Sequence, residues 1–103
     1  MKTLIDCFGH SVRLTDERMS HILKHPEMKK MAAGIEQALR HPKLVRRSRT
    51  DATVRMFYEF YARTRVGGKW LCVVVKYVEL DAFVVTAYLT DKPKAGEDLW
   101  PIK

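Results

Sequence analysis

Residues 70–90, WLCVVVKYVELDAFVVTAYLT, decide the fold. The valine-rich runs Val73-Val74-Val75 and Phe83-Val84-Val85 have the composition of neighbouring strands in the interior of a sheet, and strands are expected at about 69–79 and 82–90. Successive strand residues point to opposite faces. Leu71, Val73, Val75 and Tyr77 therefore share one face of the first strand, and Trp70, Cys72, Val74 and Lys76 the other. In the second, Phe83, Val85, Ala87 and Leu89 form an apolar face, and Val84, Thr86, Tyr88 and Thr90 a mixed one. Lys76, Thr86 and Tyr88 should thus look out of the same side, where an ammonium group in so apolar a setting needs a reason to be present. Taken singly, each has a plain structural explanation. The lysine stem can lie on the sheet with its head in water, and Thr and Tyr are ordinary strand formers. Their coincidence on one face points to a site.

Upstream, strands are expected at about 43–48 and 53–65, the latter joined to the next by the turn Val66-Gly67-Gly68. Within 53–65, Val54, Met56, Tyr58, Phe60 and Ala62 form the more apolar face, and Arg55, Phe57, Glu59, Tyr61, Arg63 and Arg65 the other. Nearer the start, residues 3–8 and 11–14 read as a hairpin around Gly9-His10. Thr15 is a helix N-cap, with Asp16 and Glu17 in the first turn, where the helix dipole favours negative charge. Met19, Ile22 and Leu23 give that helix its apolar stripe. Pro26 interrupts it and suits the first turn of a second helix, along which Met28, Met31, Ile35, Ala38 and Leu39 recur until His41-Pro42. The expected fold is α+β, with N-terminal helices packed on one face of a C-terminal antiparallel sheet. The opposite face would then collect Arg55, Glu59, Tyr61, Arg63, Lys76, Thr86 and Tyr88. Residues 1–103 form one domain, in which 91–103 is an irregular tail held by Leu99 and Trp100.

Lys and Arg number 19 against 12 acids, a formal charge of +7, which fits a polyanionic partner because each neutralised phosphate releases counterions. The plain alternative is a basic domain with no nucleic-acid role. The densest cluster, Lys43, Arg46, Arg47 and Arg49, lies between a helix and a strand and is the candidate phosphate rim, with Arg55 and Tyr61 as further nucleic-acid contacts. No apolar run is long enough to span a bilayer and the N-terminus lacks a signal-peptide pattern, so no membrane partner is expected and the default location is the cytoplasm. Cys7 and Cys72 are far apart and read as buried free thiols. His21 and His25 are four apart, but Pro26 disfavours helical geometry at His25 and no third ligand stands at a diagnostic spacing. No metal site and no cofactor is assigned.

Carboxylate, guanidinium, ammonium and phenol groups on one face have the parts for phosphodiester cleavage. RNA cleavage needs a base for the 2′-OH, a cation for the pentacoordinate transition state and an acid for the 5′-oxygen. Glu59 or a histidine is the candidate base, Lys76 with Arg63 the charge stabiliser, and His21 or Tyr88 the acid. Because the nucleophile belongs to the substrate, no activated serine, cysteine or metal is required.

The order His21-Ile22 with His25-Pro26-Glu27, Ile35, Ala38-Leu39, His41-Pro42, Val45, Ser48 before Asp51, Tyr58, Val73-Val74-Val75-Lys76 and Phe83-Val84-Val85-Thr86-Ala87-Tyr88 resembles the phage-Barnase-EndoU-Colicin-RelE-like (PBECR/BECR) nuclease family over about residues 15–91. The resemblance implies helices on a curved antiparallel sheet (BECR/RelE-like), a metal-independent endoribonuclease with RNA as partner, and a toxin held by an antitoxin or immunity protein. His21, Lys76 and the Thr86-Ala87-Tyr88 segment match the family pattern; Glu59 and Arg63 come from the face argument alone. The other readings are a nucleic-acid-binding module without catalysis and a protein-interaction module.

Overall fold

In the computed structural model, which describes residues 1–102, the chain is an α+β domain with two α-helices and a seven-stranded, mostly antiparallel sheet. In chain order the elements are β1 (Lys2–Ile5), β2 (Ser11–Leu14), α1 (Asp16–Leu23), a 3₁₀ turn (Pro26–Met28), α2 (Ala32–Arg40), β3 (Leu44–Arg47), β4 (Val54–Tyr61), β5 (Lys69–Val78), β6 (Asp81–Thr90) and β7 (Glu97–Trp100). The sheet order is β1-β2-β6-β5-β4-β3-β7. All neighbours are antiparallel except β2 and β6, which run parallel. The sheet is therefore not a C-terminal unit, since the N-terminal hairpin extends one edge of it. No helix among the described residues is long and apolar enough to cross a membrane.

The first hairpin strand stops at Ile5, short of the expected residue 8. There the Asp6 carboxylate accepts from the backbone N–H groups of Phe8 and His10, both at 2.9 Å, and bends the chain into a turn. Thr15 caps α1 by accepting from the Arg18 N–H at 3.1 Å. Pro26 opens only the 3₁₀ turn, not the second helix. The backbone leaves helical angles at Met31 (φ −101°, ψ 6°), and α2 begins at Ala32.

One large core joins Ile22, Met28, Ile35, Ala38 and Leu39 of the helical segments to Val12, Leu14, Val45, Phe57, Leu71, Val73, Val75, Val84 and Ala87 of the strands. Full burial of each of the larger of these side chains, the Val, Leu, Ile, Met and Phe, contributes about 1.5–3 kcal/mol before entropy is set against it. Gly34 of α2 lies so close to β4 and β5 that a Cβ there would come within 2.9 Å of the Tyr61 hydroxyl and 3.2 Å of Leu71. A second, smaller cluster on the other side of the sheet contains Met56, Tyr58 and Cys72, flanked by Leu44, Trp70, Val74 and Tyr88, with no helical residue.

Three departures from the expected pattern reposition side chains. Cross-strand partners in an antiparallel pair point the same way, and β4 pairs Arg55 with Val75, Phe57 with Val73 and Glu59 with Leu71. Arg55, Glu59 and Tyr61 therefore lie on the side of the large core, not with Lys76, which is opposite Val54. In the β5–β6 pairing the register slips between Val74 and Val75 of β5, which face Thr86 and Val84, so Val85 is an extra residue of β6 in a bulge. Ala82 and Val84 consequently face the large core in place of the expected Phe83 and Val85, while Ala87 keeps its expected side. The segment expected to be an irregular tail forms β7, an edge strand paired with β3. It is approached closely at Gly96, where any side chain would strike the Arg47 carbonyl. Trp100 packs edge-on against Phe8 at 5.7 Å between ring centroids.

Candidate functional site

Lys76, Thr86 and Tyr88 do share one side of the sheet, since their partners Val54, Val74 and Cys72 alternate on that side. Their chemistry differs from that expected. The Lys76 ammonium is 3.0 Å from Asp51 Oδ2, so its charge is offset within the protein. The Asp51 carboxyl is held down to about 2, first by the Thr53 hydroxyl and N–H at 2.6 and 2.9 Å and then by Lys76. Burial, followed by the neighbouring Cys72, pushes the Tyr88 phenol well above its ordinary range. A phenol so raised is a poor proton donor near neutral pH, which argues against Tyr88 as the acid.

Thr86 and Tyr88 line a cavity of about 370 Å³ with Val54, Met56 and Val74 beneath and Arg49 and Lys94 among its walls. The segment after β6 crosses this side of the sheet, where the Lys94 N–H donates to the Tyr58 hydroxyl at 3.1 Å.

The remaining candidates are dispersed. His21 is exposed on α1 in a separate hollow with Glu17, Arg18, Ser20 and Lys24, and its helix feeds Ile22 into the large core on the side of the sheet away from Lys76. Glu59 is half-buried, with its carboxylate accepting from the Phe60 N–H at 3.2 Å. Arg63 follows β4 and lines a third hollow with Glu27, Lys30, Met31, Tyr61 and Arg65. Tyr61 itself lies against α2, its phenol raised by burial and then by Glu59. The six expected catalytic side chains therefore do not form one site.

The expected phosphate rim is also altered by β7. Arg46 donates to Asp98 at 2.8 Å and to the Lys94 carbonyl at 2.9 Å, and Arg47 to Glu97 at 2.7 Å. Both guanidinium groups are engaged in holding the edge strand. Lys43 and Arg49 remain exposed, and neither side chain forms an ion pair or hydrogen bond among the described residues.

The densest polar constellation was missed at the sequence level. The Asp6 side chain is 0% exposed, and Asp6 is the one buried charged residue among the described residues. Its Oδ1 accepts the two hairpin N–H groups, while Oδ2 accepts the Tyr77 hydroxyl and lies 3.3 Å from His10 Nδ1. Burial, then the bond to Asp6, raises the Tyr77 phenol far above its ordinary range, so it remains a donor. The His10 side chain is 52% exposed and meets the Tyr77 ring edge-on at 5.6 Å. The Arg55 guanidinium carbon sits 4.8 Å from the Phe8 ring centre and 4.6 Å from that of Tyr77. His10, Arg55 and Tyr77 open into a cleft of about 390 Å³ shared with Ser11 and the β5–β6 turn. The local signal was Asp6 itself, a lone acid amid Leu4-Ile5 and Cys7-Phe8. The carboxylate 3.3 Å from Nδ1 makes no hydrogen bond to the ring, but its charge draws a proton to that nearer nitrogen and leaves Nε2 as the proton acceptor. Beside a guanidinium, such an imidazole can move a proton at an anionic substrate.

Compared with known proteins, the chain matches no family model, no curated protein and no solved structure.

Proposed function

We propose that the protein is a small, basic, metal-independent endoribonuclease of the cytoplasm, with a BECR/RelE-like arrangement of helices on the sheet. The observation that carries this reading is the His10 imidazole, backed by buried Asp6 and placed in one cleft with Arg55. His10 Nε2 takes the proton of a ribose 2′-OH as its oxygen attacks the adjacent phosphorus. Arg55 offsets the charge gathering on the phosphoryl oxygens. The O2′–P bond forms, the P–O5′ bond breaks, and the 5′-oxygen takes a proton from water in the open cleft, the resulting hydroxide taking the proton that His10 holds and restoring the neutral imidazole. The products are a 2′,3′-cyclic phosphate and a 5′-hydroxyl. His10 replaces His21 in this scheme, and Lys76, Thr86 and Tyr88, on the opposite side of the sheet from Arg55, leave the catalytic set. The family resemblance supports the same activity, and with it an antitoxin or immunity protein as a second partner.

The competing reading is a nucleic-acid-binding module without catalysis, favoured by Arg49 and Lys94, which line one cavity with side chains unpaired among the described residues. Incubation with one labelled RNA oligonucleotide in excess chelator separates the two. Cleavage leaving a cyclic phosphate, abolished by deoxyribose at the cut position, supports the nuclease. Retention of intact RNA overturns it in favour of the binder.

A further inference from the structure

The cavity beside Thr86 and Tyr88 has a composition unlike that of the His10 cleft. Its floor is apolar, formed by Val54, Met56 and Val74 from adjacent strands. Its walls carry the Tyr88 ring and the Thr86 hydroxyl, and the Thr86 side chain has no hydrogen-bond partner among the described residues. Arg49 and Lys94 line it with side chains that are likewise unpaired among the described residues. The acids nearest in the chain are already occupied: Asp51 by Lys76 and Thr53, Glu97 by Arg47, and Asp98 by Arg46. The cavity therefore keeps uncompensated positive charge over a flat apolar floor. Its volume of about 370 Å³ falls in the range of small-ligand sites. An inorganic anion would leave the floor unused, and a neutral apolar ligand would leave the two cations unused.

We propose that this cavity is a nucleotide subsite, taking a base of single-stranded RNA against Val54, Met56, Val74 and Tyr88 and its phosphate between Arg49 and Lys94. The Thr86 hydroxyl supplies one hydrogen bond to a base edge. The site contains no imidazole and performs no step of cleavage. Its assignment to RNA rests on the ribonuclease reading, whereas the binding itself does not.

The test follows backbone amide resonances of the full chain during titration with the four nucleoside 5′-monophosphates, ribose 5-phosphate and inorganic phosphate. Nucleoside monophosphates should move the amides of Arg49, Val54, Val74 and Thr86, and at least one should bind about tenfold or more tightly than ribose 5-phosphate, as expected for stacking a base. The double variant Arg49→Ala, Lys94→Ala should weaken that binding by about tenfold or more, since both phosphate contacts are removed. Lys29→Ala, exposed just after the 3₁₀ turn and outside the cavity, should leave it unchanged. A labelled single-stranded RNA should displace the mononucleotide from the same amides. The proposal is overturned if ribose 5-phosphate binds as tightly as every nucleotide, if shifts map to other residues, or if the double variant, shown folded by its amide spectrum, binds like the parent. Nucleotide binding without RNA cleavage would sink the nuclease and leave the subsite standing. Cleavage without nucleotide binding would do the reverse.

Discussion

Asp6→Asn separates the two jobs of the carboxylate. In the parent, Oδ1 accepts two backbone N–H groups at 2.9 Å, and the turn geometry depends on them. An asparagine keeps those bonds by placing its carbonyl oxygen there, which puts its NH₂ where Oδ2 stood, facing Tyr77 and His10. The Tyr77 hydroxyl then loses its charged acceptor. A hydrogen bond to a charged group contributes about 1.5–3 kcal/mol against about 1 for a neutral pair, and the two N–H bonds to Oδ1 weaken likewise. Removing a buried charge offsets part of this, so the net loss is about 1 kcal/mol. For a domain of this size that corresponds to a Tm lowered by about 4–8 °C with cooperative unfolding retained. The effect on cleavage should be far larger. The imidazole now meets a donor at Nδ1, so it carries its proton on Nε2 and cannot accept one from the 2′-OH. Losing the general base costs about a hundredfold to ten-thousandfold in kcat. Initial rates on a fluorogenic RNA in chelator, beside a thermal melt of the same sample, measure both quantities. A folded Asp6→Asn protein that cuts at the parental rate refutes the His10 mechanism.

His10→Ala should abolish cleavage on the same scale while His21→Ala cuts at the parental rate, because His21 sits in a separate hollow on α1; a rate loss confined to His21→Ala would reverse the assignment. Replacing both Arg46 and Arg47 by Ala should lower Tm by a few degrees, as exposed ion pairs contribute about 0.2–1 kcal/mol each, and should leave the salt dependence of RNA binding unchanged, because these cations are already engaged with β7. The folded-state value of Asp51 lies below its unfolded one, so its contribution is complete above the ordinary carboxylate range and is lost as pH falls toward about 2. Asp51→Asn should therefore show a shallower drop in Tm than the parent between about pH 4 and pH 2, and parallel curves would count against the Thr53–Asp51–Lys76 arrangement. Burial first, and then the adjacent Asp6, raises the Cys7 thiol to about 11, and burial raises Cys72 as well. Cys72 is buried as expected, whereas Cys7 is only partly buried. With both thiols raised, alkylation of the native protein at pH 8 should be slower than that of a free thiol by on the order of a hundredfold and become fast in denaturant, and rapid native modification would contradict the raised values.

Local chemistry made several features readable without coordinates. Thr15 announces α1 because a side-chain oxygen there satisfies an N–H that the helix cannot. The valine runs announce β5 and β6, and two-residue alternation correctly put Lys76, Thr86 and Tyr88 on one side, since the bulge at Val85 precedes both β6 residues and alternation resumes beyond it. Alternation divides a strand into two faces but does not say which face is covered, and both faces of β4 carry large apolar side chains. Only tertiary structure showed Arg55 held between the Phe8 and Tyr77 rings on the side of the large core, and Tyr58 buried on the other beneath a crossing segment. Nor could local pattern reveal β7, whose acidic residues become a strand only by meeting Arg46 and Arg47. The candidate site follows the same division. Sequence sufficed to suggest that Lys76, Thr86 and Tyr88 share a face, because that depends on spacing of two residues. Joining Asp6 and His10 of the first hairpin to Arg55 and Tyr77 of the central strands depends on sheet order and on burial, both of which arise only when distant segments exclude water together.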